Sequence, residues 1–172
     1  MSREDLGFSD AQWEVLKHGP LYMLAHVAGT DAYIDSAEWM ALVDLVLESA
    51  SSDDHLTSTI MGELSAELHN GRTQIPDHRT PLAGLEEVAH VLLEWNGADS
   101  TAFRSALMEI GATVADASGA QLTIRYATHH GDGSWLPSSA TSPAEHRALS
   151  AAATALGLAV PAEDPSESPA VS

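Results

Sequence analysis

The sequence predicts an all-α protein, a single bundle of about seven helices with an internal pseudo-repeat. Three observations carry this. Apolar residues recur at three- and four-residue spacing along most of the chain. Helix starts are spelled out as a capping residue followed three positions later by Gln or Glu, at Ser9–Gln12, Asp35–Glu38 and Ser142–Glu145. Finally, one pattern occurs twice. Val27-Ala28-Gly29-Thr30-Asp31-Ala32 closes an apolar stretch and precedes the restart Asp35-Ser36-Ala37-Glu38. Val114-Ala115-Asp116-Ala117-Ser118-Gly119 closes another and precedes Ser142-Pro143-Ala144-Glu145. Matched on the Val-Ala pair, Asp31 corresponds to Ser118. Seven positions lead from Asp31 to Glu38 and twenty-seven from Ser118 to Glu145, so the second copy carries about twenty inserted residues.

Taken in order, Ser9 caps a short helix bearing Trp13 and Leu16 that is expected to stop at Gly19-Pro20. Pro20 suits the first turn of the next helix, with Leu21, Leu24, Ala25 and Ala28 on one stripe ending near Thr30. The third runs from about Ser36 to Ser49, capped by Asp35 or Ser36 with Glu38 reaching back. Its apolar positions go almost all round, which predicts a central helix. The fourth opens at Asp53 or Asp54, carries Leu56, Ile60, Leu64 and Leu68, and ends at Asn70-Gly71 in a left-handed cap. After a loop, Thr80-Pro81 starts the fifth, with Leu85, Val88, Leu92 and Leu93, ending at Asn96-Gly97. Asp99 or Ser100 caps the sixth, with Phe103, Leu107, Ile110 and Val114 in line. Residues 117–141 read as a long inserted connection, within which 121–126 alternate like a short strand with nothing to pair with. Ser142-Pro143 starts the last helix and Gly157 ends it. The helical domain thus spans 1–160, and 161–172 is an acidic, Pro- and Ser-rich tail expected to be disordered.

The charge is lopsided, with 7 Lys and Arg against 25 Asp and Glu and a formal net charge of −18. Nucleic-acid binding draws its affinity from cations that displace counterions, so no nucleic-acid partner is expected. Anionic membrane surfaces are disfavoured for the same reason. Excess acid keeps a protein soluble, and it favours cations or a basic patch on another protein as partners. No apolar run has transmembrane length and the acidic start lacks the apolar stretch of a secretory signal, so membrane insertion is not expected and the cytoplasm is the expected location. The chain has no cysteine, which excludes disulfides, thiolate metal sites and a Cys nucleophile.

The paired pattern resembles the tellurite-resistance TerB-like family. The resemblance rests on Trp13 and Pro20, on Val27-Ala28-Gly29-Thr30-Asp31 with Asp35-Ser36-Ala37-Glu38, and on Val114 to Gly119 with Ser142 to Gly157. It spans roughly residues 10–158. It implies a bundle of about seven helices, a role in stress resistance, an acidic cluster proposed to bind metal ions, protein partners and no catalytic activity. The chain departs from the family where Thr30-Asp31-Ala32 replaces Ala-Asp-Gly, where Ser118 takes the second Asp position with Asp116 nearby, and where the insertion separates Ser118 from Glu145.

Asp31, Asp35 and Glu38 are the leading candidate ligands for a divalent cation such as Ca²⁺, Mg²⁺ or Zn²⁺, with Asp116 and Glu145 from the second copy. Carboxylates between two helices present several oxygens to a hard cation. The plainer account of Asp35 and Glu38 is a capping box. No EF-hand loop fits this segment. His129, His130, Asp132 and His146 form a second group, though their spacing matches no zinc signature. His26 and His90, set in apolar helices, read as satisfied core histidines. Trp13, Trp39 and Trp95 read as packing; Trp135, inside the insertion, reads either as a partner anchor or as a cover folded over the bundle. No phosphate loop and no Gly-x-Ser-x-Gly elbow is present. The favoured function is therefore a non-catalytic TerB-like stress-response or interaction domain, with or without a divalent cation. One alternative is an interaction module that holds no metal and uses the 117–141 insertion. Another is a metal-dependent enzyme using the insertion histidines.

Overall fold

Trp13, Leu16, Met23 and Leu24 have no measurable exposure, and all four lie on the helix α1 (Asp10–Ala28) around which the core is built. The computed structural model describes residues 6–29, 34–76, 79–95, 97–118 and 142–158. Among these are α2 (Ser36–Ser49), α3 (His55–His69), α4 (Pro81–Trp95), α5 (Ser100–Ser118) and α6 (Pro143–Ala155), with no strand. The expected strand at 121–126 and the tail at 161–172 lie outside the described residues, as does the insertion from 119 onward. Residues 117 and 118 belong to α5, one half-turn further than the periodicity indicated.

The chain has six helices among the described residues because the expected break at Gly19-Pro20 does not occur. α1 runs straight through both residues. A proline inside a helix removes one hydrogen bond and costs about 3 kcal/mol. Here the flanks on both sides, Trp13 and Leu16 before and Leu21, Met23 and Leu24 after, are buried in the same core. A break would expose those side chains and unpaired backbone, and burying one leucine contributes about 1.5–3 kcal/mol. Gly19 fits a close approach: a Cβ there would sit 3.3 Å from Leu107 on α5 and 3.5 Å from Val88 on α4.

α1 packs mainly on α4 and α5, α2 lies on α5 and α3, and α6 closes the bundle against α4, α1 and α5. Two glycines set close approaches. A Cβ on Gly84 would lie 2.6 Å from the Tyr22 ring, and one on Gly111 would lie 2.7 Å from Met23 Sδ. The caps follow the sequence closely. Ser9, Asp35, Asp54 and Ser142 are the N-caps of α1, α2, α3 and α6. Gly71 and Gly157 take positive φ, and in each the glycine amide and the next one close a Schellman motif, Gly71 N to Leu68 O with Arg72 N to Glu67 O, and Gly157 N to Thr154 O with Leu158 N to Ala153 O.

α2 is not central. Only Glu38, Leu42 and Val46 are buried on it, and Met40 and Leu47 are 55% and 54% exposed. An all-round apolar pattern ordinarily marks a buried helix. Here α2 is an outer helix whose second apolar face meets water.

Candidate functional site

The acidic residues singled out by the sequence serve first as helix caps. Asp35 Oδ1 accepts from the amides of Ala37 and Glu38 at 2.7 and 2.9 Å, and Glu38 Oε2 accepts from the Asp35 amide at 2.8 Å. At α6, Ser142 Oγ accepts from the Glu145 amide at 3.3 Å, and Glu145 Oε2 accepts from the Ser142 amide at 2.7 Å. Each box satisfies amides that a helix start otherwise leaves without partners. Both glutamates are buried, Glu38 to 2% and Glu145 to 5% exposure. The structure thus joins Asp35 to Glu38, while Glu145 is joined to Ser142 in a separate box. Asp116 is half-buried in the last turn of α5, where the helix dipole disfavours an anion. Asp31 lies outside the described residues, and among those described no three His, Asp or Glu gather as a metal-holding group.

His129, His130, Asp132 and Trp135 also lie outside the described residues; His146 is half-buried in the first turn of α6. His26 behaves as expected. Its Nε2 lies 3.0 Å from the Ala148 carbonyl, tying α1 to α6, and burial pushes its pKa below the usual value despite that contact. His90 does not: it sits on the outer face of α4, 68% exposed, with Glu94 one turn on at 3.2 Å. Gly84, Leu85, Val88, Val91 and Leu92 share the buried face of α4, and position 90 falls on the opposite one. Trp13 is fully buried and donates to Glu63 Oε2 at 2.8 Å, and Trp95 donates to the Leu6 carbonyl at 2.8 Å with its ring on Phe8.

Sequence reasoning passed over Lys17, the chain's only lysine. It is 6% exposed and donates to Glu14 at 2.8 Å and to Glu67 at 2.7 Å. Burial works against its charge, but the hydrogen bonds and charges of the two glutamates outweigh this and hold its pKa above the ordinary lysine value. A lone cation in an apolar helical stripe was the available signal.

The exposed face of α2 forms one wall of a groove of about 440 Å³. Trp39, Val43 and Leu47 face Gly62, Ser65, Ala66 and His69 of α3 across it. These side chains lie at i, i+4 and i+8 on α2, so they make one continuous ridge. On the facing side, the small residues Gly62, Ser65 and Ala66 leave room beside the ridge, and Leu68, His69 and Asn70 close its end. Asp44 and Glu63, both exposed, are helix neighbours of these wall residues. Among the described residues no helix is long and apolar enough to cross a membrane. Comparison with known proteins finds no matching family model, no matching curated protein and no matching solved structure.

Proposed function

We propose that the chain is a non-catalytic, TerB-like stress-response and interaction domain that receives a cationic amphipathic helix of a protein partner in the groove between α2 and α3. The observation that carries this is the ridge of α2, where Leu47 stays in water beside Gly62, Ser65 and Ala66 of α3. A helix laid into such a groove buries its apolar stripe on the ridge. The charge of −18 selects the partner: a helix that flanks its stripe with cations is attracted, and Asp44 is exposed beside the ridge, whereas a second copy of this chain would be repelled. The matched capping boxes at Asp35/Glu38 and Ser142/Glu145, each with a buried glutamate, support the pseudo-repeat on which the TerB-like reading rests. They also favour the reading without metal, because a cap already employs these carboxylates.

The test uses two synthetic amphipathic helices of equal length, one Leu/Lys and one Leu/Glu, titrated against the full chain by fluorescence anisotropy. The Leu/Lys helix is expected to bind, and the doubly substituted variant Val43→Ser, Leu47→Ser is expected to lose about tenfold or more in affinity without loss of helicity, since each truncation removes roughly 1–2 kcal/mol of apolar contact. Equal binding by the variant, or by the Leu/Glu helix, would sink the proposal.

A further inference from the structure

His69 is exposed in the last turn of α3, and among the described residues that line the groove between α2 and α3 it is the one ionisable side chain. α2 and α3 are joined by the short connection 50–54 and so run in opposite senses, which sets His69 beside the Trp39 end of the ridge. The other charged residues of these helices stand off the lining. Glu38 is held in its cap and Glu67 by Lys17. Asp44, Glu48 and Glu63 lie outside the lining, with His55 at the opposite end of α3 and Arg72 just beyond its last turn.

We infer that the groove releases its cationic partner helix in mild acid, with His69 as the sensor, an inference that rests on the helix-binding reading of this groove. Histidine is the side chain that changes charge between about pH 5 and 8. Neutral, the imidazole is an uncharged wall of the groove, and one ring nitrogen accepts a hydrogen bond from a lysine of the partner. Protonated, it has no acceptor left and puts a cation where the partner carries its own. Binding and protonation are then linked in both directions. A partner cation held at this end of the groove opposes the proton, and the proton weakens the partner by the same factor. The wall itself is not disturbed, because a cation is favourable in the last turn of a helix.

The test is fluorescence anisotropy of the Leu/Lys helix against the full chain at pH 7.5 and 5.5 and fixed ionic strength, for the wild type, His69→Gln and His90→Gln. His90 is exposed on α4, away from the groove, and reports the general loss of negative charge as histidines take up protons. His26 is common to all three proteins, so any loosening of the fold in acid enters each alike. The rise in Kd on acidification is expected to be about threefold smaller in His69→Gln than in the wild type, the scale of one screened charge contact at a surface, and unchanged in His90→Gln. His69→Lys, charged at both pH values, is expected to bind about threefold more weakly than the wild type already at pH 7.5. An equal rise in the wild type and His69→Gln, or an equal reduction of it in His69→Gln and His90→Gln, would overturn the sensor and leave the groove as a helix receptor. No binding by the wild type at pH 7.5 would overturn both.

Discussion

Lys17 and Glu67, fifty residues apart in sequence, meet at 2.7 Å and fasten α1 to α3. One turn earlier on both helices Trp13 donates to Glu63 at 2.8 Å, also across fifty residues. The two contacts are rungs of one ladder, so α1 and α3 run in the same sense where they touch. Glu14 completes the lower rung by sharing the Lys17 ammonium.

Lys17→Met should destabilise the protein by about 1–2 kcal/mol, below the full cost of breaking a buried pair, because Glu14 and Glu67 keep 49% and 37% of their side-chain surface and can turn to water. Chemical denaturation measures this. An unchanged midpoint would mean that the ladder contributes specificity and no net stability.

Glu38→Ala and Glu145→Ala should each cost about 1 kcal/mol as lost caps, and the Gln variants should retain most of that, since a side-chain amide oxygen still accepts from the cap amide. The measurement is thermal unfolding of chelator-treated protein with Ca²⁺, Mg²⁺ or Zn²⁺ added. The ions are expected to leave the midpoint in place. A cation at 100 times its dissociation constant would add about 2.7 kcal/mol, and such a gain, lost in Asp31→Asn, would place a metal in the first copy instead.

His26 makes the protein less stable in mild acid. Its folded pKa is depressed below the unfolded value of 6.5, so the unfolded chain binds the proton first. The contribution is fully present above that value and is lost as pH falls through it toward the folded pKa. Melting curves at pH 7.5 and 5.5 should therefore differ more for the wild type than for His26→Gln, which can still donate to the Ala148 carbonyl. Identical differences in the two proteins would remove His26 from the account.

Gly84→Ala should destabilise by about 1–3 kcal/mol, because its Cβ would fall 2.6 Å from the Tyr22 ring and the packed core must shift. Gly62→Ala, also within a helix but with nothing within 4 Å, should stabilise by about 0.5–1 kcal/mol through helix propensity. Both effects read out in the same denaturation experiment. Stabilisation by both would show that α4 and α1 are looser than the 2.6 Å approach implies.

Helix starts and ends were legible because they are local. Asp35 with Glu38, Ser142 with Glu145, and the glycines at 71 and 157 act within a turn of the backbone they cap, so four or five residues of sequence contain the whole interaction. A cation role for the same carboxylates was not legible on that basis, since a cap and a ligand draw on the same residue types. Nor was the burial of Lys17, whose partner Glu67 lies fifty residues away.

By itself the sequence determined the all-α class, the caps, and where most helices stop, because short-range hydrogen bonding and apolar periodicity decide these. Tertiary structure alone decided that α1 passes through Pro20, that α2 lies outside with Met40 and Leu47 in water, and that Lys17 is buried between Glu14 and Glu67. The physical reason is common to all three: each depends on what a distant helix covers. Burial against α4 and α5 outweighs the local penalty of a proline, whereas an apolar helix face that no other element reaches remains at the surface whatever its hydropathy.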